Sequence, residues 1–218
     1  MGYSIAIDGP AGAGKSTIAK MVAKQKQFIY IDTGAMYRAM ALYLLRNKID
    51  PKEQDKISDK CKDADITIEY ANGEQVVFLN GENVNALIRT EEVGNMASTS
   101  SVNADVRKQL VELQQKLAKS ADVVMDGRDI GTCVLPGADV KVYLTADSRV
   151  RAKRRFEELT KKGEPCDLDK IEQDIIERDE RDMNREISPL RQAEDAVLID
   201  SSAMTIEEVA QTILNLCD

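Results

Sequence analysis

The sequence predicts an α/β protein built on a five-stranded parallel sheet, and three observations carry that expectation. Five short apolar runs recur, at Ser4–Asp8, Phe28–Asp32, Val123–Asp126, Val140–Leu144 and Ala196–Asp200. Segments with apolar residues at helical spacing separate them, the pattern of repeated βα units. Four of the runs end at or beside an aspartate: Asp8, Asp32, Asp126 and Asp200. In open α/β sheets ligands collect beyond the carboxyl ends of the strands. Asp8, Asp32, Asp126 and the loops after them are therefore expected to gather around one crevice.

The first strand leads into the most informative stretch of the chain. Gly9-Pro10-Ala11-Gly12-Ala13-Gly14-Lys15-Ser16-Thr17 fits G-x-x-x-x-G-K-[ST] in full from Gly9 to Ser16. Ile18, Met21 and Val22 then fall at helical spacing within Lys15 to Lys26. Strand, glycine loop and helix together make a cradle for a nucleoside triphosphate. Glycines let backbone N–H groups point at phosphate oxygens, and the helix N-terminus adds positive potential. Lys15 is placed to reach the β- and γ-phosphates and Ser16 to hold Mg²⁺. A chance match in a Gly/Ala turn would lack the flanking strand and helix.

Composition narrows the class. The chain has 218 residues, 43% hydrophobic and 31% charged, which suits one soluble domain with insertions or small lobes. A net charge of −8 argues against general attraction to nucleic acid or an anionic membrane. Cys61, Cys133, Cys166 and Cys217 are scattered without a C-x-x-C pair, as in a protein with reduced thiols. No leader precedes the first strand and no apolar run is long enough to span a bilayer, so a cytoplasmic protein is expected. Histidine is absent, which removes His triads, His metal sites and His general bases. Phosphoryl transfer survives that exclusion, because it relies on positioning and charge neutralisation. A phosphate acceptor is already ionised near neutral pH and needs no strong base.

Between the second and third core strands the pattern breaks. Ile66–Tyr70 alternates, Asn72-Gly73 reads as a hairpin turn, Val76–Leu79 follows, and Asn80-Gly81 offers a second turn. This is a small inserted antiparallel sheet, read as a substrate lobe rather than an ornamental insertion. Further on, Asn103 reads as the cap of a helix bearing Val106, Leu110, Leu113 and Leu117. Thr205-Ile206-Glu207-Glu208 reads as a capping box for a last helix packed through Val209, Ile213 and Leu216.

Residues 149–191 are dense in charge, with Arg149, Arg151, Arg154 and Arg155, then Gly163-Glu164-Pro165, then Arg178, Arg181, Arg185 and Arg191. Interleaved acids exclude a polybasic patch. The pattern suits equally a solvated charged helix pair and a closing lid that brings arginines to a phosphate.

Two more segments follow strand ends. Asp32-Thr33-Gly34-Ala35-Met36-Tyr37-Arg38 enters a helix and suits a second anionic ligand, or simply a helix capped by Asp32 or Thr33. Asp126-Gly127-Arg128-Asp129-Ile130-Gly131-Thr132 places Asp126 to order a Mg²⁺ shell through water, Arg128 to grip phosphate and Asp129 to accept hydrogen bonds from a base or sugar. Asn47-Lys48-Ile49-Asp50 matches a guanine-recognition pattern but lacks a buried strand before it, and Asn47 is better read as ending a helix.

Taken together these residues resemble bacterial-type cytidylate kinases, of the P-loop nucleoside monophosphate kinase superfamily. The motifs that carry the resemblance are Gly9–Thr17, Asp32–Arg38, Gly127–Thr132 and Glu177-Arg178-Asp179-Glu180-Arg181-Asp182-Met183-Asn184-Arg185. The resemblance implies transfer of the γ-phosphoryl of ATP, with Mg²⁺, to CMP or dCMP. It implies a P-loop kinase fold with a five-stranded parallel sheet flanked by helices, a nucleotide-binding lobe enlarged by the antiparallel sheet, and a helical lid. The core would comprise residues 1–37, 91–148 and 192–218, the lobe 38–90, and the lid with its arginine-rich helix 149–191. A cytoplasmic monomer without nucleic-acid or membrane partners is expected.

Residue by residue, the resemblance puts Gly9 to Thr17 on ATP. It puts Thr33, Ser98, Arg107 and Asp129 near the cytosine, where a carboxylate has a physical reason to accept the amino group that uracil lacks. Tyr37, Arg38, Arg128 and Arg185 match residues around the acceptor phosphate, and Arg178 and Asp182 those near the sugar. Lys15, Arg128 and Arg185 are the catalytic candidates, with either Arg154 or Arg155 as the lid arginine nearer ATP. Competing readings are another small-molecule P-loop kinase, a GTP switch and an inactive nucleotide-binding module.

Overall fold

The structure is a computed structural model that describes residues 2–71 and 73–217. In chain order its elements are β1 (Ser4–Asp8), α1 (Lys15–Lys26), β2 (Ile29–Asp32), α2 (Thr33–Arg46), α3 (Gln54–Cys61), β3 (Ile66–Ala71), β4 (Glu74–Leu79) and β5 (Glu82–Asn83). There follow α4 (Glu91–Ser100), α5 (Ala104–Ala118), β6 (Val123–Gly127), a π turn (Ile130–Val134), β7 (Val140–Thr145), α6 (Ser148–Lys161), α7 (Leu168–Asn184), β8 (Val197–Asp200) and α8 (Ile206–Asn215). Each of the five expected core strands is present, with ends shifted by a residue at most. The five-stranded sheet has the order β2-β6-β1-β7-β8.

Two compact units divide the chain. One comprises Tyr3–Phe28 and Val123–Asp218, the other Ile29–Asp122 with the extreme N-terminus. In the first unit β1 pairs in parallel with β6 and β7, and β7 with β8. Ile5, Ala6, Ile7, Val123, Val124 and Met125 are fully buried, which explains why these runs are continuously apolar rather than alternating. Helix α8 starts with the expected capping box, Thr205 and Glu208 each satisfying the other's backbone N–H. Val209, Ala210 and Ile213 form its buried stripe. Leu216, expected to pack on the core, is the residue that ends the helix and stays exposed.

In the second unit β3, β4 and β5 form the antiparallel insertion. Asn72 of the expected first turn lies outside the described residues. Gly73 has φ 79°, and at the second turn Asn80 and Gly81 both have positive φ, 50° and 80°, as a tight two-residue hairpin demands. Asn103 caps α5 by accepting from the N–H groups of Asp105 and Val106. The buried stripe of α5 is Val106, Arg107, Leu110, Gln114 and Ala118, so of the expected face Val106 and Leu110 are buried and the helix is rotated away from Leu113 and Leu117. Leu113 and Leu117 lie on its half-buried flank. Asn47 ends α2, its side-chain amide donating to the Tyr43 carbonyl, as expected for a helix terminus.

Candidate active site

The phosphate loop follows from three backbone facts in the first unit. Gly9 has φ 149° and sits so close to the Leu144 carbonyl that a Cβ there would overlap it. Gly12 and Gly14 have φ 75° and 87°, a region that side chains disfavour. Gly14 is also the N-cap of α1, and no side chain caps that helix. The first-turn N–H groups of α1 are thus left for an anion, reinforced by the helix dipole.

Lys15 closes the loop across its base. Its ammonium donates to the Pro10 carbonyl at 2.7 Å and is almost fully buried. Burial, helped by the charge of Arg128, lowers its pKa to about 7 against the opposing pull of Asp126, Asp8 and Asp182. Ser16 donates its hydroxyl to Asp126 at 3.0 Å. A hydroxyl and one buried strand-end carboxylate, all hard oxygen donors, suit Mg²⁺ that takes its remaining ligands from water and phosphate. Asp8 at the end of β1 accepts from the N–H groups of Ile130 and Gly131 at 2.8 and 2.7 Å. Burial nevertheless raises its pKa to about 6, because those two bonds and Lys15 do not offset the desolvation.

Around this loop the same unit holds three Arg–Asp contacts. Arg128 Nε donates to Asp182 at 2.9 Å, and Arg185 lies 3.6 Å from Asp129. Arg151 meets Asp179 at 2.6 Å. Helix α7 supplies two of these three aspartates, because Ile175, Arg178, Asp179 and Asp182 follow the i, i+3, i+4, i+7 spacing of one helical face. Burial alone would raise the Asp182 carboxyl, but the charges of Arg128, Arg178 and Arg185 outweigh it and hold the pKa below the usual carboxylate range. Burial likewise pulls on Arg128, and the charge of Asp182 prevails, so its pKa is raised.

The charged run divides. Arg149 and Arg155 form exposed ion pairs with Asp169, Glu172 and Glu158, the solvated-helix pattern. Arg154 donates to the Ser201 carbonyl at 2.7 Å. Arg151 of this run reaches the phosphate loop, donating to the Ala11 carbonyl at 2.8 Å. The sequence places Arg151 in the charged run and Asp179 in the 177–185 motif without giving either a role. The i−3 spacing of Asp179 from Asp182 was the available signal.

The second unit carries the other set. Asp32 is the N-cap of α2, accepting from the Ala35 N–H at 2.9 Å, so the helix-cap reading of this segment holds. Its carboxylate also draws in Arg38 at 3.3 Å and Arg89 at 3.5 Å. The buried Nε of Arg38 has no hydrogen-bond partner among the described residues. Thr33 is the buried first residue of α2, and Ser98 is buried on α4. Arg107 stacks over the Tyr37 ring, 5.7 Å from its centroid, and donates to the Ser101 carbonyl. Thr33, Tyr37, Arg38, Ser98 and Arg107 thus belong to one unit, and Arg128, Asp129, Arg178, Asp182 and Arg185 to the other.

The sequence profile of the cytidylate kinase family matches residues 5–218. This chain belongs to the cytidylate kinase family. A cytidylate kinase of Caldicellulosiruptor bescii is 53% identical over 213 residues, 98% of this chain and 94% of that protein. The cytidylate kinase of Bacillus subtilis is 49% identical over 211 residues, covering 97% and 94%. The solved structure of a shikimate kinase from Bacteroides thetaiotaomicron shares the fold at TM-score 0.51 and 15% identity, covering 99% of this chain and 98% of that one. Among the described residues no helix is long and apolar enough to cross a membrane.

Proposed function

We propose that this member of the family transfers the γ-phosphoryl of ATP to CMP or dCMP, giving ADP and the diphosphate. The observation that carries the donor half is the uncapped start of α1, with Lys15 beside it and Ser16 bonded to Asp126. These groups suit the phosphates of a nucleotide bound with Mg²⁺. Family membership supplies the acceptor.

Lys15 and the first-turn N–H groups of α1 neutralise the migrating phosphoryl group. Ser16 and, through water, Asp126 would hold Mg²⁺, which supplies further neutralisation of the phosphate charge when bound. Arg128 and Arg185 are assigned to the acceptor phosphate, as are Tyr37 and Arg38, on the strength of the family resemblance. Thr33, Ser98, Arg107 and Asp129 contact the cytosine, and Arg178 and Asp182 the sugar. Residues 38–90 serve as the acceptor lobe and 149–191 as a lid that excludes water. The protein is read as a cytoplasmic monomer. With the acceptor already ionised, aligned positioning replaces a general base.

A coupled assay of ADP release with CMP, dCMP, UMP and AMP as acceptors tests the reading. CMP and dCMP should stimulate release strongly and AMP should not. ADP release indifferent to CMP would overturn it.

A further inference from the structure

Ala11, in the middle of the phosphate loop, is held through both of its backbone groups by the two helices that follow β7. Its N–H donates to Asp179 Oδ1 at 3.2 Å, and its carbonyl accepts from Arg151 at 2.8 Å. The same Arg151 nitrogen donates to Asp179 Oδ2 at 2.6 Å, and Arg151 Nε donates to the Ala146 carbonyl at 2.9 Å. A Cβ on Gly12, the next residue, would stand 3.3 Å from the Arg151 Cβ, so the loop runs close against α6. Arg151 and Asp179 are both buried.

A loop with glycines at positions 9, 12 and 14 has wide conformational freedom of its own. Fixing both peptide planes that flank Ala11 removes much of that freedom where N–H direction matters for a phosphate. Buried ion pairs are costly to desolvate and give weak net stability, so their value lies in orientation. We propose that Arg151 and Asp179 are positioning residues for ATP: they set the Ala11–Gly12 segment of the phosphate loop and so link triphosphate binding to the packing of α6 on α7. Arg151 has a second duty. It neutralises Asp179, whose carboxylate would otherwise repel the triphosphate from beside the loop. The inference rests on the reading of Gly9–Thr17 as the ATP site.

Opposed effects of charge and geometry give the test, made by steady-state kinetics on the full chain. Arg151→Met leaves Asp179 charged beside the loop and should raise KM for ATP roughly tenfold to a hundredfold, the scale of a lost hydrogen bond to a charged group. KM for CMP at saturating ATP should stay within about twofold. Asp179→Asn keeps an acceptor for the Ala11 N–H and should raise KM for ATP less. The double variant should recover part of the loss seen in Arg151→Met. Equal rises in both KM values, or a double variant no better than Arg151→Met, would overturn the inference. If Arg151→Met fails to fold, Asp179→Asn decides alone: a rise confined to ATP supports the inference, and an equal rise for both nucleotides overturns it. Wild-type protein without saturable ATP dependence would remove the ATP-site reading itself, and the inference with it.

Discussion

Arg128 and Asp182 meet at 2.9 Å, joining the loop after β6 to the last turns of α7. The contact ties a proposed phosphate-gripping arginine to a proposed sugar-binding carboxylate, so neither side chain acts alone. Asp182→Asn removes the charge that orients Arg128 and should raise KM for CMP by about tenfold or more while KM for ATP changes little. Kinetics with each nucleotide varied in turn checks it, and a loss shared equally by both would count against the pairing. The depressed Asp182 pKa also has a pH consequence. Its contribution to stability is present above the unfolded carboxyl value, near 3.9, and is lost as pH falls through the folded one. The Asn variant should therefore lose less stability than wild type on acidification below about pH 4.

Lys15 is the cation whose charge is least secure. Burial lowers its pKa to about 7, so a large fraction is neutral at pH 8. A bound triphosphate stabilises the ammonium form. Nucleotide binding at pH 8 should then take up a proton, since the terminal phosphate, with a second pKa near 6, is already ionised. Calorimetry of ATP binding in buffers of different ionisation enthalpy measures this directly. Wild type should show uptake and Lys15→Ala none. The same variant should lose on the order of a hundredfold or more in turnover if electrostatic stabilisation dominates.

Asp8 behaves in the opposite sense to Asp182. Its folded pKa, about 6, is above the unfolded value, so the folded chain binds the extra proton between about pH 4 and 6. Stability from this group is full below the unfolded value and declines as pH rises through the folded one. The total is on the order of 3 kcal/mol. Urea unfolding of wild type and Asp8→Asn at pH 4.5 and 7 should show the variant with the smaller loss on raising pH. Parallel pH profiles for the two proteins would reject the assignment.

What the sequence disclosed and what it hid separate along a physical line. Continuous apolar runs, the glycine loop and the Thr205 capping box are local signals, and each appears in place. The rotation of α5 is hidden because Arg107 and Gln114 are polar residues that a hydrophobic pattern assigns to solvent, although both are buried and Arg107 lies over the ring of the distant Tyr37. Arg151 was hidden for the same reason. Among four arginines in seven residues, only the fold shows which one faces Ala11 and which face water. The resemblance singles out Arg128 and Asp182, which the fold pairs across a long stretch of sequence, because family motifs store such long-range pairings. It did not reach Asp179, which lies within the quoted motif but carried no assigned role.

Gln75 gives the antiparallel insertion a definite task. Its amide accepts from the Asp32 N–H at 2.9 Å and donates to the Asp32 carbonyl at 3.1 Å. A side chain thereby pairs with both backbone groups at the end of β2, as a neighbouring strand would. The residue so fixed is the cap of α2 and the partner of Arg38. Gln75→Leu should raise KM for CMP several-fold, in line with the loss of one or two buried hydrogen bonds, with KM for ATP unchanged. A change confined to thermal stability would reduce the insertion to a scaffold.

Asp129 is the residue on which base choice is expected to turn. It is buried, and Arg185 lies 3.6 Å from its carboxylate. Cytosine offers an amino donor where uracil offers a carbonyl, and a carboxylate accepts from the first and repels the second. Discrimination by a buried group left unpaired with the wrong substrate is strong. Asp129→Ala should therefore reduce the ratio of kcat/KM for CMP over UMP by about tenfold or more, through loss of CMP activity rather than damage to ATP use. The comparison needs both acceptors at fixed saturating ATP. A ratio that survives the substitution would move base recognition to Thr33, Ser98 and Arg107 in the other unit.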